Sequence, residues 1–137
     1  DKTERINMST EVREKNGVLG DAWKKRQSET CGEQLRRMCK NIADSISEPQ
    51  QITDEETGEK RQESAGDWME GTYDIRYYVD SSKRYLGAEL MVAGGGPTIW
   101  VNLYTKEVEG YWGGDRVTEP FRDELDLDGY CEEMYGH

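Results

Sequence analysis

Histidine is nearly missing from this chain. Its single copy, His137, is the last of 137 residues, so no serine or cysteine has an imidazole nearby in sequence to serve as a base, and no Cys/His cluster offers a zinc set. Cysteine is sparse as well: Cys31, Cys39 and Cys131 are odd in number and form no CxxC pair, unlike the even framework of a disulfide-stapled secreted domain. On a helix the Cα atoms of Cys31 and Cys39 stand about 12 Å apart, beyond disulfide reach. All three read as small buried or half-buried thiols in a reducing compartment. No apolar run approaches the roughly 18 residues of a membrane helix, and the opening stretch DKTERINMSTEVREK has no apolar signal-peptide core. A cytoplasmic protein without membrane contact is expected.

Two short motifs lack the parts that their chemistry needs. Gly94-Gly95-Gly96-Pro97 is followed by the strand-like TIWV, with no helix start and no GK[ST], so it reads as a turn between strands and not as a phosphate loop. Glu124-x-Asp126-x-Asp128-Gly129 resembles the start of a calcium loop, yet its twelfth position is Tyr135 where a bidentate Glu belongs. The many carboxylates show no spacing that singles out an acid/base pair. No catalytic residue, metal or cofactor is expected, and the chain reads as a non-enzyme.

What the chain has in excess is negative charge, −11 in net. Residues 1–66 hold 12 Lys+Arg against 14 Asp+Glu, whereas residues 67–137 hold 6 against 15. The second half therefore carries −9 of the total, together with most of the aromatics. Such a field opposes DNA, RNA and anionic membranes and favours a basic protein surface. No direct nucleic-acid binding is expected.

Charged residues make up 34% of the chain, as much as the apolar ones, so part of it should lie outside the core. Residues 1–17 have no apolar period and read as a flexible arm. Residues 18–47 read as a helical segment: Leu35, Met38, Cys39, Ile42 and Ile46 recur at helical spacing, Ser28 or Thr30 with Glu33 supplies a capping signal, and Pro49 follows the end. Gly32 is a weak point between this helix and a first turn around Val18, Leu19, Ala22 and Trp23. Residues 48–66 read as a linker, or as a marginal hairpin around Thr57-Gly58.

From residue 67 the texture becomes that of an α+β domain. Four strands are expected near 72–80, 85–93, 98–105 and 108–113, as an antiparallel meander. A helix should start at Pro120 and present Phe121, Leu125, Leu127, Tyr130, Cys131 and Met134, whole or split at Gly129. The fold class is thus α+β: an N-terminal helix, a four-stranded antiparallel meander and a C-terminal helix packed on the sheet.

Alternation assigns Tyr73, Ile75, Tyr77, Val79, Leu86, Ala88, Leu90, Val92, Ile99, Val101 and Leu103 to the core face. Tyr78, Glu89, Met91, Trp100, Asn102, Tyr104, Glu109 and Tyr111 then point the other way, an aromatic surface edged with acid. That surface is either a contact site or the place where the N-terminal helix lays Leu35, Met38 and Ile42; the sequence fits both. The expected partner-binding residues are Glu107, Glu109, Asp115, Glu119, Asp123, Glu124, Asp126 and Asp128, with Trp100, Tyr104 and Tyr111.

Residues 74–115, DIRYYVDSSKRYLGAELMVAGGGPTIWVNLYTKEVEGYWGGD, resemble a small acidic domain of bacterial mobile-element proteins, through MVAGGGPTIWVN, the following turn and VEGYWGGD. The resemblance implies a non-enzymatic inhibitor, of the anti-CRISPR or antirestriction type, whose acidic surface covers a basic nucleic-acid site on a nuclease or nuclease–guide complex. The alternative reading is a structural or regulatory adaptor that binds a protein through the aromatic sheet face.

Overall fold

Leu35, Cys39, Ala43 and Ile46 recur every three or four residues and are fully or almost fully buried along one side of α1 (Cys31–Ser47). In this computed structural model, which describes residues 29–136, α1 is followed by β1 (Gln51–Thr53), β2 (Lys60–Gln62), α2 (Ala65–Met69), β3 (Asp74–Val79), β4 (Tyr85–Ala93), β5 (Thr98–Asn102), β6 (Glu107–Trp112), β7 (Asp115–Pro120) and α3 (Leu127–Tyr135). The expected arm over residues 1–17, the first turn around Val18 and Trp23, and His137 lie outside the described residues.

β3 to β7 form one antiparallel meander in chain order, and β1 with β2 forms a separate hairpin within residues 48–66. The main sheet has five strands where four were expected. β7, DRVTEP, has Val117 as its sole apolar residue and follows two glycines that read as an end, so alternation does not mark it as a strand. Pro120 is accordingly the last residue of β7, not the first of a helix. The C-terminal helix starts seven residues later, where Asp123 accepts the backbone N–H groups of Leu127 and Asp128 at 2.8 and 3.0 Å and Asp126 accepts that of Gly129 at 3.2 Å. These carboxylates satisfy the free donors of the first turn of α3. Phe121 and Leu125 are buried from the irregular segment before it.

Two bulges modify the strands. Tyr78 pairs with Gly87 and Val79 with Tyr85, so Leu86 is skipped and faces out, while Tyr85 turns inward in its place. Tyr73, Tyr77 and Val79, assigned to the core by alternation, are exposed as well, since they lie on or beside the edge strand β3, at the rim of the helix layer. Tyr77 and Tyr85 instead pack their rings against Tyr135 of α3, at centroid distances of 5.1 and 6.0 Å. The second bulge, at Val92, precedes the 94–97 turn, where Gly95 adopts φ +88°.

Among the described residues both long helices lie on the same face of the sheet, α1 across β6 and β7 and α3 across β4. They enclose a single core with Ala88, Leu90, Ile99, Val101, Val108 and Val117. From Cys31 onward the chain is one compact unit, in which α1 lies on β6 and β7. α2, capped by a reciprocal Ser64–Asp67 box, adds Trp68, whose indole donates to Ser45 Oγ of α1 at 3.0 Å. The ends of α1 meet charges of the appropriate sign. Asp115 lies beside Gly32 in its first turn, and the Arg122 guanidinium donates to the carbonyl of Ser47 at 3.2 Å.

At Gly110 the helix lies against the strand with no Cβ between them. A Cβ there would lie 2.5 Å from Cys39 Sγ and 2.9 Å from Leu35 Cδ1. Gly110→Ala is expected to cost about 1–3 kcal/mol by overpacking, read as a lower urea midpoint with an unchanged slope. Burial raises the Cys39 and Cys131 thiols to about 11 and about 12, while Cys31 is exposed. At neutral pH a thiol reagent should therefore modify Cys31 first, and the other two only at the rate of unfolding.

Candidate protein-binding face of the sheet

Because side chains alternate along a strand, enclosing the core on one face leaves the other to a second set of residues. Arg76 pairs with Glu89, Glu89 with Asn102 and Asn102 with Glu107, giving one row across four strands. The adjacent row runs Asp74, Met91, Trp100, Glu109 and Thr118. Among the described residues no long helix covers these rows. α1 uses Leu35 and its neighbours on the opposite face, so of the two arrangements left open by the sequence it does not adopt the one that seals the aromatic surface.

Asn102 organises this face. It is 5% exposed, and all four of its hydrogen-bonding positions are used. Its Oδ1 accepts the backbone N–H of Tyr104 at 2.9 Å and of Thr105 at 3.0 Å, which ends β5 at residue 102 instead of 105. Its Nδ2 donates to Tyr78 Oη at 3.1 Å and, more weakly, to Glu109 Oε2 at 3.4 Å. Tyr78 in turn donates to Glu89 Oε2 at 2.8 Å. The Tyr78 hydroxyl titrates above the ordinary tyrosine range, through burial first and then the hydrogen bond to the Glu89 carboxylate.

Around this polar centre stand aromatic rings and two arginines. The Arg76 guanidinium lies 4.5 Å from the centroid of the Trp100 ring, and Arg116 lies 5.8 Å from that of Tyr111. Trp100 is 9% exposed, with Arg76 over its ring. Tyr104 tilts against Tyr78 at 5.7 Å with its Cβ seated over Gly87, where an added Cβ would come within 2.8 Å. Its ring remains 61% exposed.

Of the residues expected to bind a partner, the structure gathers Glu107, Glu109, Trp100, Tyr104 and Tyr111 here. The other acids lie elsewhere, and most have work inside the molecule. Asp115 stands at the start of α1, Glu119 faces Arg36 of that helix at 3.5 Å, and Glu124 lies 3.6 Å from Arg122. Asp123 and Asp126 cap α3. Asp128 accepts the Tyr85 hydroxyl at 2.6 Å and lies 3.7 Å from Lys106 Nζ; burial first, and then this hydrogen bond, drive the titration of the phenol far upward. Asp126 and Asp128 thus serve backbone and phenol donors, and no cluster of three or more metal-ligating side chains occurs among the described residues. Asp74, Glu89 and Arg76 belong to the face but were not among the expected binding residues; Glu89 and its neighbours could be found from alternation alone.

Asn102→Ala removes the turn acceptor and leaves Tyr78 without its donor. It should cost about 1–3 kcal/mol, measured by urea unfolding. Asn102→Asp places a third carboxylate beside Glu109 and the Tyr78–Glu89 pair, so its penalty should shrink as pH falls from about 7 to about 4 and carboxylates protonate.

No protein-family model, curated protein or solved structure matches the chain.

Proposed function

We propose that the protein is a non-enzymatic binding protein that docks, on a basic protein surface, the sheet face that neither long helix of the described residues covers. In the setting that the resemblance of residues 74–115 implies, that surface belongs to a nuclease or nuclease–guide complex of a bacterial defence system, and docking inhibits it. One observation carries this reading: Tyr104 and Tyr111 are exposed beside Glu107 and Glu109 on a face that neither long helix covers. Exposed aromatics supply contact area, and the carboxylates steer a cationic partner and select against an anionic one.

A narrower form of the inhibitor reading, in which carboxylates alone imitate a phosphate row, has less to draw on. Asp115, Glu119, Asp123, Asp126 and Asp128 already meet groups of the protein itself. This favours the adaptor-like mode, in which aromatic contact carries the affinity and charge adds rate and selectivity.

The test uses the full chain, tagged, against the nuclease complex that it captures, repurified. Affinity is expected to fall by about tenfold or more between roughly 0.1 and 0.5 M salt. Tyr104→Ala and the double variant Glu107→Lys/Glu109→Lys should each weaken binding and cleavage inhibition by about tenfold or more, while Glu124→Lys changes little. Binding that is indifferent to salt, or equally damaged by Glu124→Lys, removes the charge argument. Full affinity in Tyr104→Ala removes the aromatic one.

A further inference from the structure

The two edges of the five-stranded sheet differ. β7 forms one edge and β3 the other. Which backbone groups each edge offers follows from the register. Leu103 donates its N–H to the Ala88 carbonyl at 2.8 Å, so even-numbered β4 residues spend their backbone groups on β5 and odd-numbered ones on β3. Asp74, Arg76 and Tyr78, opposite Met91, Glu89 and Gly87, are therefore the β3 residues bonded to β4. Ile75 and Tyr77 turn their N–H and C=O groups outward. Consistent with this, the Ile75 N–H is taken up by its neighbour's carboxylate, Asp74 Oδ1, at 2.9 Å. The same count across β6, anchored by the Phe121 N–H on the Lys106 carbonyl, turns Arg116, Thr118 and Pro120 outward on β7. That edge contains a proline without a donor, a common guard against strand addition. β3 has no proline, and four of its six side chains are exposed, including Tyr77 and Val79.

We propose that the outer edge of β3 pairs antiparallel with β3 of a second copy of this chain, centred on Ile75, joining two five-stranded sheets into one of ten. Charge selects this occupant and this register. Centring on Ile75 sets Asp74 of each copy opposite Arg76 of the other, and Tyr77 opposite Tyr73, whose own N–H stays on the Met91 carbonyl at 2.8 Å. Moving the centre to Arg76 sets two arginines opposite each other, and moving it to Tyr77 sets Asp74 against Asp80. Of these three registers only the first sets opposite charges across the junction within β3, the self-complementarity that a twofold interface requires. The Asp74 and Arg76 side chains are 51% and 63% exposed and meet at 3.7 Å within one chain, and the Arg76 guanidinium, which also rests on the Trp100 ring, turns from it to reach the second copy. Pairing passes the Ile75 N–H from the Asp74 carboxylate to a backbone carbonyl and frees that carboxylate for Arg76 of the second copy. Paired residues share a face, so both Tyr104-bearing faces lie on the same side of the joined sheet.

Sedimentation equilibrium of the full chain tests this without any other partner. The wild-type chain is expected to rise with concentration towards the mass of two chains. Asp74→Arg alone and Arg76→Asp alone should each raise the dissociation constant by about tenfold or more, since both ion pairs become repulsions. Mixed one to one, the two variants should form a heterodimer, because every pair across the junction is then opposite in sign. Tyr77→Pro, which deletes an outward donor, should give a monomer with an unchanged circular dichroism spectrum. A wild-type chain that stays monomeric at all concentrations overturns the proposal, as does a pair of variants that associates no better mixed than apart.

Discussion

The approach of α1 to Gly110 is the contact on which the remaining architecture depends. Leu35 and Cys39 can sit against the strand because no Cβ intervenes, and that draws the helix onto the face where Val108 and Val117 wait. α3 closes the same face over Ala88 and Leu90. In a chain that is only 34% apolar, the hydrophobic residues suffice to seal one side of the sheet. Burying the second side as well would require an apolar set that the β5 and β6 residues Asn102, Glu107 and Glu109 do not provide.

The unsealed side is stabilised by different means. Polar groups near the low-dielectric sheet surface must be paired, and Asn102 accomplishes this for Tyr78, two backbone amides and, in part, Glu109. Arg76 shields Trp100 from water with a charged group instead of an apolar one. The result is a wettable face with fixed side chains, suited to contacts that form and dissolve, in contrast to the permanent seal beneath the helices. The acidity of the second half divides along the same line. One group of carboxylates holds α3 and the flank of α1 in place, and the other is presented to solvent around the tyrosines.

Much of this was readable in the sequence where period and burial agree. Leu35, Cys39 and Ile46 announced α1, and Ala88, Leu90, Ile99 and Val101 announced the core side of the sheet. The failures have local causes. Leu86 and Tyr85 exchanged sides because a bulge changes the parity that alternation assumes. β7 escaped notice because an edge strand above a helix needs just one inward residue, Val117. Pro120 has two common positions, an edge strand and a first helical turn, and the sequence alone favoured the wrong one. For the candidate face, alternation grouped Trp100, Tyr104, Glu109 and Tyr111 correctly. Charge alone could not separate a capping Asp123 from Glu107 on the sheet face, since both are half-buried carboxylates in an acidic stretch and differ in which donors the fold brings to them.

The loop closing β5 onto β6 has one foot on each side of the sheet. At its start Asn102 bonds to Tyr78 among the solvent-facing rings; at its end Lys106, held at φ +61°, reaches the Leu103 carbonyl and stands 3.7 Å from Asp128 beneath α3. Five consecutive residues thus act as a rivet through the layer. A guest that drew Glu109 or Tyr78 away from Asn102 would loosen the rivet from one side, and the slack would emerge on the other, where Asp128 and Tyr85 hold the C-terminal helix to its strand.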